Sequence, residues 1–327
     1  MIPENVYVKA LATLLSPLEV HLADPEVSEI LVNGPHEVFV ERRGRLEPST
    51  ARFDSSAALL SALRGVAQFA GRPLGAEHPI LEAHLPDGSR LEAVLPPLAP
   101  RGPHVAIRRF GVSTLDLPSL VARGSLSREG AALLTELVDK KKNVLVSGGT
   151  GSGKTSLLRC LAALSPPDER IVVIEDAREL ELALPHVVSL LARPADERGR
   201  GAVGIRDLFK ATLRLRPDRI VIGELRGGEA LELIQAMTSG HGGCLSTVHA
   251  SHPLDALRRV ETLALMSDVQ LPLAALRAQI ASAIDVVVQT SRLPNGRRAV
   301  THIAEVCALE DGRNYRTRDL LASGGHS

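Results

Sequence analysis

Tryptophan is absent from the 327 residues, and aromatic side chains make up only 2% of them. Single-strand nucleic-acid binders stack bases on aromatic platforms, so this composition argues against that class. Three scattered cysteines, Cys160, Cys244 and Cys307, cannot make a disulfide framework and fit a reducing cytoplasm. An excess of either charge is missing too. The 38 Lys and Arg balance the 38 Asp and Glu, so no whole-chain field draws nucleic acid or acidic membrane, although local patches stay open. No apolar run approaches the roughly 20 residues of a membrane span. The start, "MIPENVYVKALATLL", carries Glu4 and lacks a basic stretch followed by a long apolar one, so it does not read as a signal peptide. A soluble protein is expected.

The length exceeds a usual single domain, so two are expected, each with its own core. Residues 1–112 read as an α+β domain. "LATLLSPLEVHL" has helical spacing, "EVFVERRGRLEP" is a strand running into a turn at Gly44, and "HVAIRRF" is a strand ending near Gly111. "ILEAHLPDGSRLEAVLPP" is a hairpin through Pro86, Asp87 and Gly88. Periodicity weakens among Gly, Ser and Pro, and residues 113–126 are taken as a linker. Residues 127–327 alternate helical patterns with short apolar runs, "NVLVSG", "RIVVIED", "HVVSLLA", "DRIVIGE" and "CLSTVH". That alternation predicts a mostly parallel sheet with helices on its faces, hence an α/β fold. A hairpin turning at Asn295 and Gly296 closes the domain.

The strongest motif is "GGTGSGKT", directly after a strand and opening a helix. It fits G-x-x-x-x-G-K-[ST] in the context that the pattern requires. Gly148, Gly149, Thr150, Gly151, Ser152 and Gly153 would turn backbone N–H groups onto phosphate oxygens, helped by the helix N-terminus. Lys154 would reach the β and γ phosphates of ATP, and the Thr155 hydroxyl would hold Mg²⁺. Such a loop needs a carboxylate at a neighbouring strand end. Glu224, closing "DRIVIGE", is one candidate; Glu175, Asp176 and Glu179 in "IVVIEDARE" are others, since strand ends on one edge of a parallel sheet gather in one crevice. Simple solubilisation of a strand end, or a helix-start carboxylate for Glu179, is the plainer alternative.

"GHGGCLSTVHA" raises the question of a metal site. His241, Cys244 and His249 fall one short of the four ligands of a closed zinc site, and His252 is followed by Pro253 and a helical pattern. A second possibility is two histidines satisfied within a turn.

Together, "GGTGSGKTSLL", "IVVIEDARELEL", the run from "IRDLFKATLRLRPDRIVIGELRGGEA" through "GHGGCLSTVHASHPLDALRRVE", and "IASAIDVVVQ" resemble the type II/IV secretion-system ATPases. The likeness is nearest to the CpaF/TadA-type motors of tight-adherence (Flp) pili, and it continues upstream in "ADPEVSEILVNGPHEVFVERRGRLE". The resemblance implies a RecA-like ATPase domain behind the N-terminal domain, a homohexamer, and ATP with Mg²⁺ as the working pair. It implies that residues 148–155 are the Walker A loop, that Glu224 is the Walker B glutamate beside Mg²⁺, and that Glu179 is the catalytic glutamate of the Asp box. His241 and His249 fall in the His box, as sensors of the γ-phosphate. Arg90, Arg108 and Arg109 fall where the family brings arginines to the phosphates; Arg108 and Arg109, adjacent on a strand, should face opposite ways.

The implied activity is ATP hydrolysis driving pilus assembly, or withdrawal, through a membrane-embedded platform protein, from the cytoplasmic side of the inner membrane. Two alternatives stay open, a conjugation-type secretion ATPase and a nucleic-acid motor; the balanced charge and scarce aromatics argue against the latter. Two departures from the resemblance are expected: the extra N-terminal helical extension of many CpaF-type relatives is not read here, and three scattered cysteines cannot build the tetracysteine zinc module of the type II secretion branch.

Overall fold

The computed structural model describes residues 4–42, 45–109, 115–193, 195, 199–293 and 296–322. The turn at Gly44, the strand end at Gly111, residues 113–114 of the expected linker and Asn295 lie outside them. The chain divides into two compact units, Met1–Thr114 and Leu115–Ser327.

In the first unit, α1 (Glu4–Leu14) and α2 (Glu19–Ala23) lead into β1 (Val27–Asn33), β2 (Val38–Arg42) and β3 (Arg45–Ser49). Helix α3 (Ser56–Phe69) precedes β4 (Ile80–His84), β5 (Arg90–Val94) and β6 (His104–Arg108). The six strands form one sheet in the order β3-β2-β1-β6-β5-β4, and the pairs between neighbours are antiparallel. Alternation decides which face is covered: Leu81, Ala83, Leu91, Ala93, Val105 and Ile107 are buried against α3, whose Leu59, Leu63 and Val66 recur at helical spacing. The Ser55 hydroxyl caps α3 by accepting from the Ala58 N–H.

The second unit opens with α4 (Leu117–Ala122) and α5 (Arg128–Asp139). Most of the stretch expected as linker is thus part of this unit: Asp116 caps α4, Leu117 and Leu120 are buried, and Pro118 sits at a helix start, where it costs no hydrogen bond. Then follow β7 (Val144–Gly148), α6 (Lys154–Ala162), β8 (Ile171–Glu175), β9 (Val187–Leu191) and α7 (Ile205–Thr212). After them come β10 (Arg219–Ile222), α8 (Glu229–Thr238), β11 (Leu245–Val248), α9 (Pro253–Ala264) and α10 (Leu273–Ala283). The last strands are β12 (Val286–Arg292), β13 (Arg298–Glu310) and β14 (Asn314–Ala322).

The sheet order is β14-β13-β12-β7-β11-β10-β8-β9. From β12 to β9 the neighbours pair parallel, and β13 and β14 are antiparallel additions. The expected closing hairpin therefore gains a further strand, β14. Strands buried on both faces read as unbroken apolar runs. In β7, Val144 and Val146 face a core with α5 and α6, while Leu145 faces another with α8, α9 and α10. Each fully buried Val, Leu or Ile adds about 1.5–3 kcal/mol, so these two cores fix the sheet as a rigid platform. The chain leaves β7 through α6 and returns at β8, leaving β11 and β10 in between. The ends of four neighbouring parallel strands consequently open on one edge. No helix among the described residues is long and apolar enough to cross a membrane.

Candidate functional site

Residues 148–155 join β7 to α6. A Cβ at Gly148 would lie 2.3 Å from both Ser152 Oγ and Thr290 Oγ1, so nothing larger than glycine fits. Gly153, the N-cap of α6, has φ +97°, a conformation that favours glycine. Helices α3, α4 and α5 carry side-chain caps from Ser55, Asp116 and Ser127, whereas α6 has no side-chain cap and no acidic residue in its first turn. A helix start with neither a side-chain cap nor an acidic first turn presents its positive dipole end to an outside anion, which fits a phosphate. Thr150 and the open glycines Gly149 and Gly151 form the exposed rim, and Thr155 follows Lys154 in the first turn of α6.

The loop is braced from β12, a feature the motif does not announce. Thr290 Oγ1 donates to Ser147 O at 3.0 Å and lies 2.8 Å from Ser152 Oγ, with Thr290 only 3% exposed. Because β12 pairs with β7 up to Thr290 opposite Gly148, this hydroxyl sits behind the loop.

Strand adjacency brings the next groups in. Val248 pairs with Ser147, so His249 emerges beside the loop, and β10 next to β11 brings Glu224 alongside. Lys154 is buried, with Nζ donating to Gly149 O at 3.0 Å and to His249 Nδ1 at 3.3 Å. His249 Nε2 lies 2.7 Å from Glu224 Oε1. An ammonium only donates and a carboxylate only accepts, so the ring is the neutral tautomer with its proton on Nε2. Desolvation, and then the charge of Lys154, hold the His249 pKa below its ordinary value against the pull of Glu224, in keeping with that form. Lys154, His249 and Glu224 are thereby one continuous hydrogen-bonded line.

The far oxygen of Glu224, Oε2, accepts from Arg226 Nε at 2.6 Å, and Arg226 Nη1 lies 2.7 Å from Asp176 Oδ2. Arg226 was not read from the sequence as a site residue; its place two residues beyond Glu224 is the available signal. Glu175 ends β8 and is 2% exposed. Its Oε1 accepts from the Glu179 and Leu180 N–H groups at 3.0 and 2.9 Å, while its Oε2 is buried with no partner. Burial raises its pKa to about 7, against the lowering by those two donors and with further raising by Glu179 and Asp176. Glu179 follows in an irregular stretch rather than at a helix start, and its charge is felt at Arg226.

The structure separates the two histidines. His241 lies in the turn before β11, where the next residues Gly242 and Gly243 pack on Lys141 ahead of β7, whereas His249 leaves the other end of the strand. Four extended residues alone span about 13 Å, so within one chain His241 does not join Lys154 and Glu224. Cys244 is fully buried, with Sγ against His241 O at 3.1 Å. Hence "GHGGCLSTVHA" does not converge on one point, and no described cluster of His, Cys, Asp and Glu could hold a metal ion.

The three arginines lie in the first unit. Arg90 and Arg108 are opposite each other on β5 and β6, and Arg90 donates to Glu82 at 2.7 Å. Arg109 turns the other way and donates to His21 O at 2.8 Å, tying α2 to the sheet. That contact gives Arg109 an architectural task within its own unit.

Against known proteins, the family model described as type II/IV secretion system protein matches residues 12–311. A Mycobacterium tuberculosis protein named "putative conjugal transfer protein" is 39% identical over 308 residues, 92% of this chain and 86% of that one. The conjugal transfer protein TrbB of Rhizobium radiobacter is 35% identical over 304 residues, 91% of this chain and 89% of that one. Among solved structures, the VirB11 ATPase of the Brucella suis type IV secretion system is 28% identical with a TM-score of 0.50, covering 92% of this chain and 96% of that one. With its RecA-like second unit and a match over nearly its whole length, the chain belongs to the type II/IV secretion system protein family and is an ATPase.

Proposed function

We propose that this ATPase is the motor of a conjugation-type type IV secretion apparatus, working as a homohexamer on an inner-membrane platform protein from the cytoplasmic side. The observation that carries the mechanism is the line from Lys154 through His249 to Glu224. A γ-phosphate is a stronger acceptor for the Lys154 ammonium than Gly149 O or an imidazole nitrogen. Drawing Lys154 away from His249 changes what the ring accepts on one side while it still donates to Glu224 on the other. Phosphate arrival is thus passed to the Glu224 carboxylate through a single imidazole.

Residues 148–155 cradle the phosphates, and Thr155 and Glu224 would hold Mg²⁺, which supplies charge neutralisation on the β and γ phosphates. Glu179, whose N–H donates to Glu175 Oε1 just beyond the end of β8, orients the attacking water. Arg90 or Arg108, both on one face of the first unit's sheet, is the candidate for the arginine that the resemblance assigns to the phosphates; Arg109 is a weaker candidate because His21 O engages it. His249 is the sensor. His241 has no such role inside its own chain.

Conjugal transfer is favoured over the tight-adherence pilus by the names of the relatives, TrbB among them. The test combines turnover with capture. The purified chain should release phosphate from ATP and Mg²⁺ without stimulation by DNA, and crosslinking in membranes should capture an integral component of a transfer apparatus. Capture of a pilus platform instead would return the pilus reading, and strong stimulation by DNA would favour a nucleic-acid motor.

A further inference from the structure

We infer that Arg226 is a positioning residue that, anchored on Asp176, holds the Glu224 carboxylate in place for hydrolysis. The inference rests on the reading of Glu224 as the group that organises Mg²⁺ and water. Strands β8 and β10 are parallel neighbours, so Asp176 and Glu224 come off adjacent ends. The Arg226 guanidinium spans them, with Nε 2.6 Å from Glu224 Oε2 and Nη1 2.7 Å from Asp176 Oδ2.

The backbone below it is fixed independently. The N–H groups of Arg226 and Gly227 donate to Glu229 Oε1 at 2.6 and 2.8 Å, and Glu229 is only 7% exposed. On the other side the Leu225 N–H donates to Thr247 O at 2.9 Å. A buried carboxylate therefore aims a side chain that is itself 56% exposed. Ion pairs so exposed add little stability, so stability does not account for the arrangement. Geometry does. A planar guanidinium with donors in a rigid fork fixes the relation between its two partners, which a lysine cannot reproduce.

With His249 on Oε1 and Arg226 on Oε2, the plane of the Glu224 carboxylate is set from both sides. Loss of Arg226 frees one side, and a misplacement of about 1 Å in a catalytic group can cost on the order of 10² in rate. Asp176 reaches Glu224 through Arg226, which predicts that the two residues are not independent in hydrolysis.

The test measures ATP turnover, fluorescent-nucleotide affinity and melting temperature for Arg226→Ala, Arg226→Lys, Asp176→Asn, Glu224→Gln and the Arg226→Ala/Asp176→Asn double variant. Arg226→Ala should lose about 10- to 100-fold in kcat, the usual cost of removing a group that orients a metal-site ligand. Its ATP affinity should stay within about threefold and its melting temperature within about 3 °C, as for an exposed pair of little stability. Arg226→Lys should fall between Arg226→Ala and the wild type. The double variant should be no slower than Arg226→Ala alone, since both changes cut the same support. Near-normal turnover of Arg226→Ala beside an inactive Glu224→Gln overturns this inference alone, whereas an active Glu224→Gln removes the reading beneath it. Losses that multiply in the double variant, or affinity that falls along with kcat, overturn it as well.

Discussion

Glu175→Gln should abolish a pH-dependent weakness of the second unit. The wild-type carboxyl is 2% exposed, and burial takes its pKa from the ordinary 4.5 to about 7. Between those values the folded chain keeps a proton that the unfolded chain has lost, so stability falls as pH rises through the window. At about 1.36 kcal/mol per pH unit of displacement, the full penalty approaches ~3 kcal/mol above pH 7, of which ~2.5 kcal/mol develops between pH 5 and 8. Glutamine does not titrate, and its carbonyl can still accept from the Glu179 and Leu180 N–H groups. For a unit of this size about 2–4 °C accompanies each kcal/mol. The melting temperature of Glu175→Gln minus that of the wild type should therefore grow by about 5–10 °C from pH 5 to pH 8. Taking the difference cancels every other titrating group. A difference that stays constant within about 2 °C would mean that Glu175 is ionised in the folded chain near its ordinary pKa, and the burial argument would fail.

Two further substitutions probe the site itself. If residues 148–155 hold the phosphates as proposed, His249→Ala should bind ATP within about threefold of the wild type, yet lose about tenfold or more in turnover as Glu224 Oε1 loses its donor; a wild-type rate would remove His249 from the relay. Thr290→Val deletes the hydroxyl behind the phosphate loop at nearly constant volume, and with about 1–2 kcal/mol of buried hydrogen bonding lost, ATP affinity should weaken roughly 5- to 30-fold. Nucleotide titration giving an affinity within twofold of the wild type would show that Ser152 and Gly148 keep their places unaided.

Much of this architecture is legible in the sequence where local pattern and tertiary environment agree. "NVLVSG" followed by "GGTGSGKT" reads correctly as strand, turn and helix because a doubly buried parallel strand must be continuously apolar and the tight turn into α6 needs glycine at Gly148 and Gly153. Glu224 stands at a strand end for the same reason. Helix α3 is not among the elements read from the sequence: Ser55 and the spacing of Leu59, Leu63 and Val66 are its signals, but its many alanines and single Gly65 blunt the contrast between faces. The stretch 113–126 reads as linker because Gly, Ser and Pro dominate, while the burial of Leu117 and Leu120 is a tertiary fact. Sequence proximity misleads most in "GHGGCLSTVHA": the nine residues from His241 to His249 contain the extended strand β11, which puts the two histidines at its opposite ends. Thr290 is invisible for a related reason, and Arg226 has only its nearness to Glu224 as a signal, since only the strand order sets β12 behind the loop and Asp176 beside Arg226.

The account stands or falls on Glu224 as the group that makes ATP turn over without being needed to hold it. The direct measurement is the rate of phosphate release by Glu224→Gln, set against its affinity for a fluorescent ATP analogue in the same preparation. Glutamine keeps an oxygen for the His249 Nε2 proton but carries no charge for Mg²⁺ or water, so the account predicts affinity within about threefold of the wild type and a rate lower by on the order of 10² or more. Turnover at the wild-type rate with that affinity intact would contradict it.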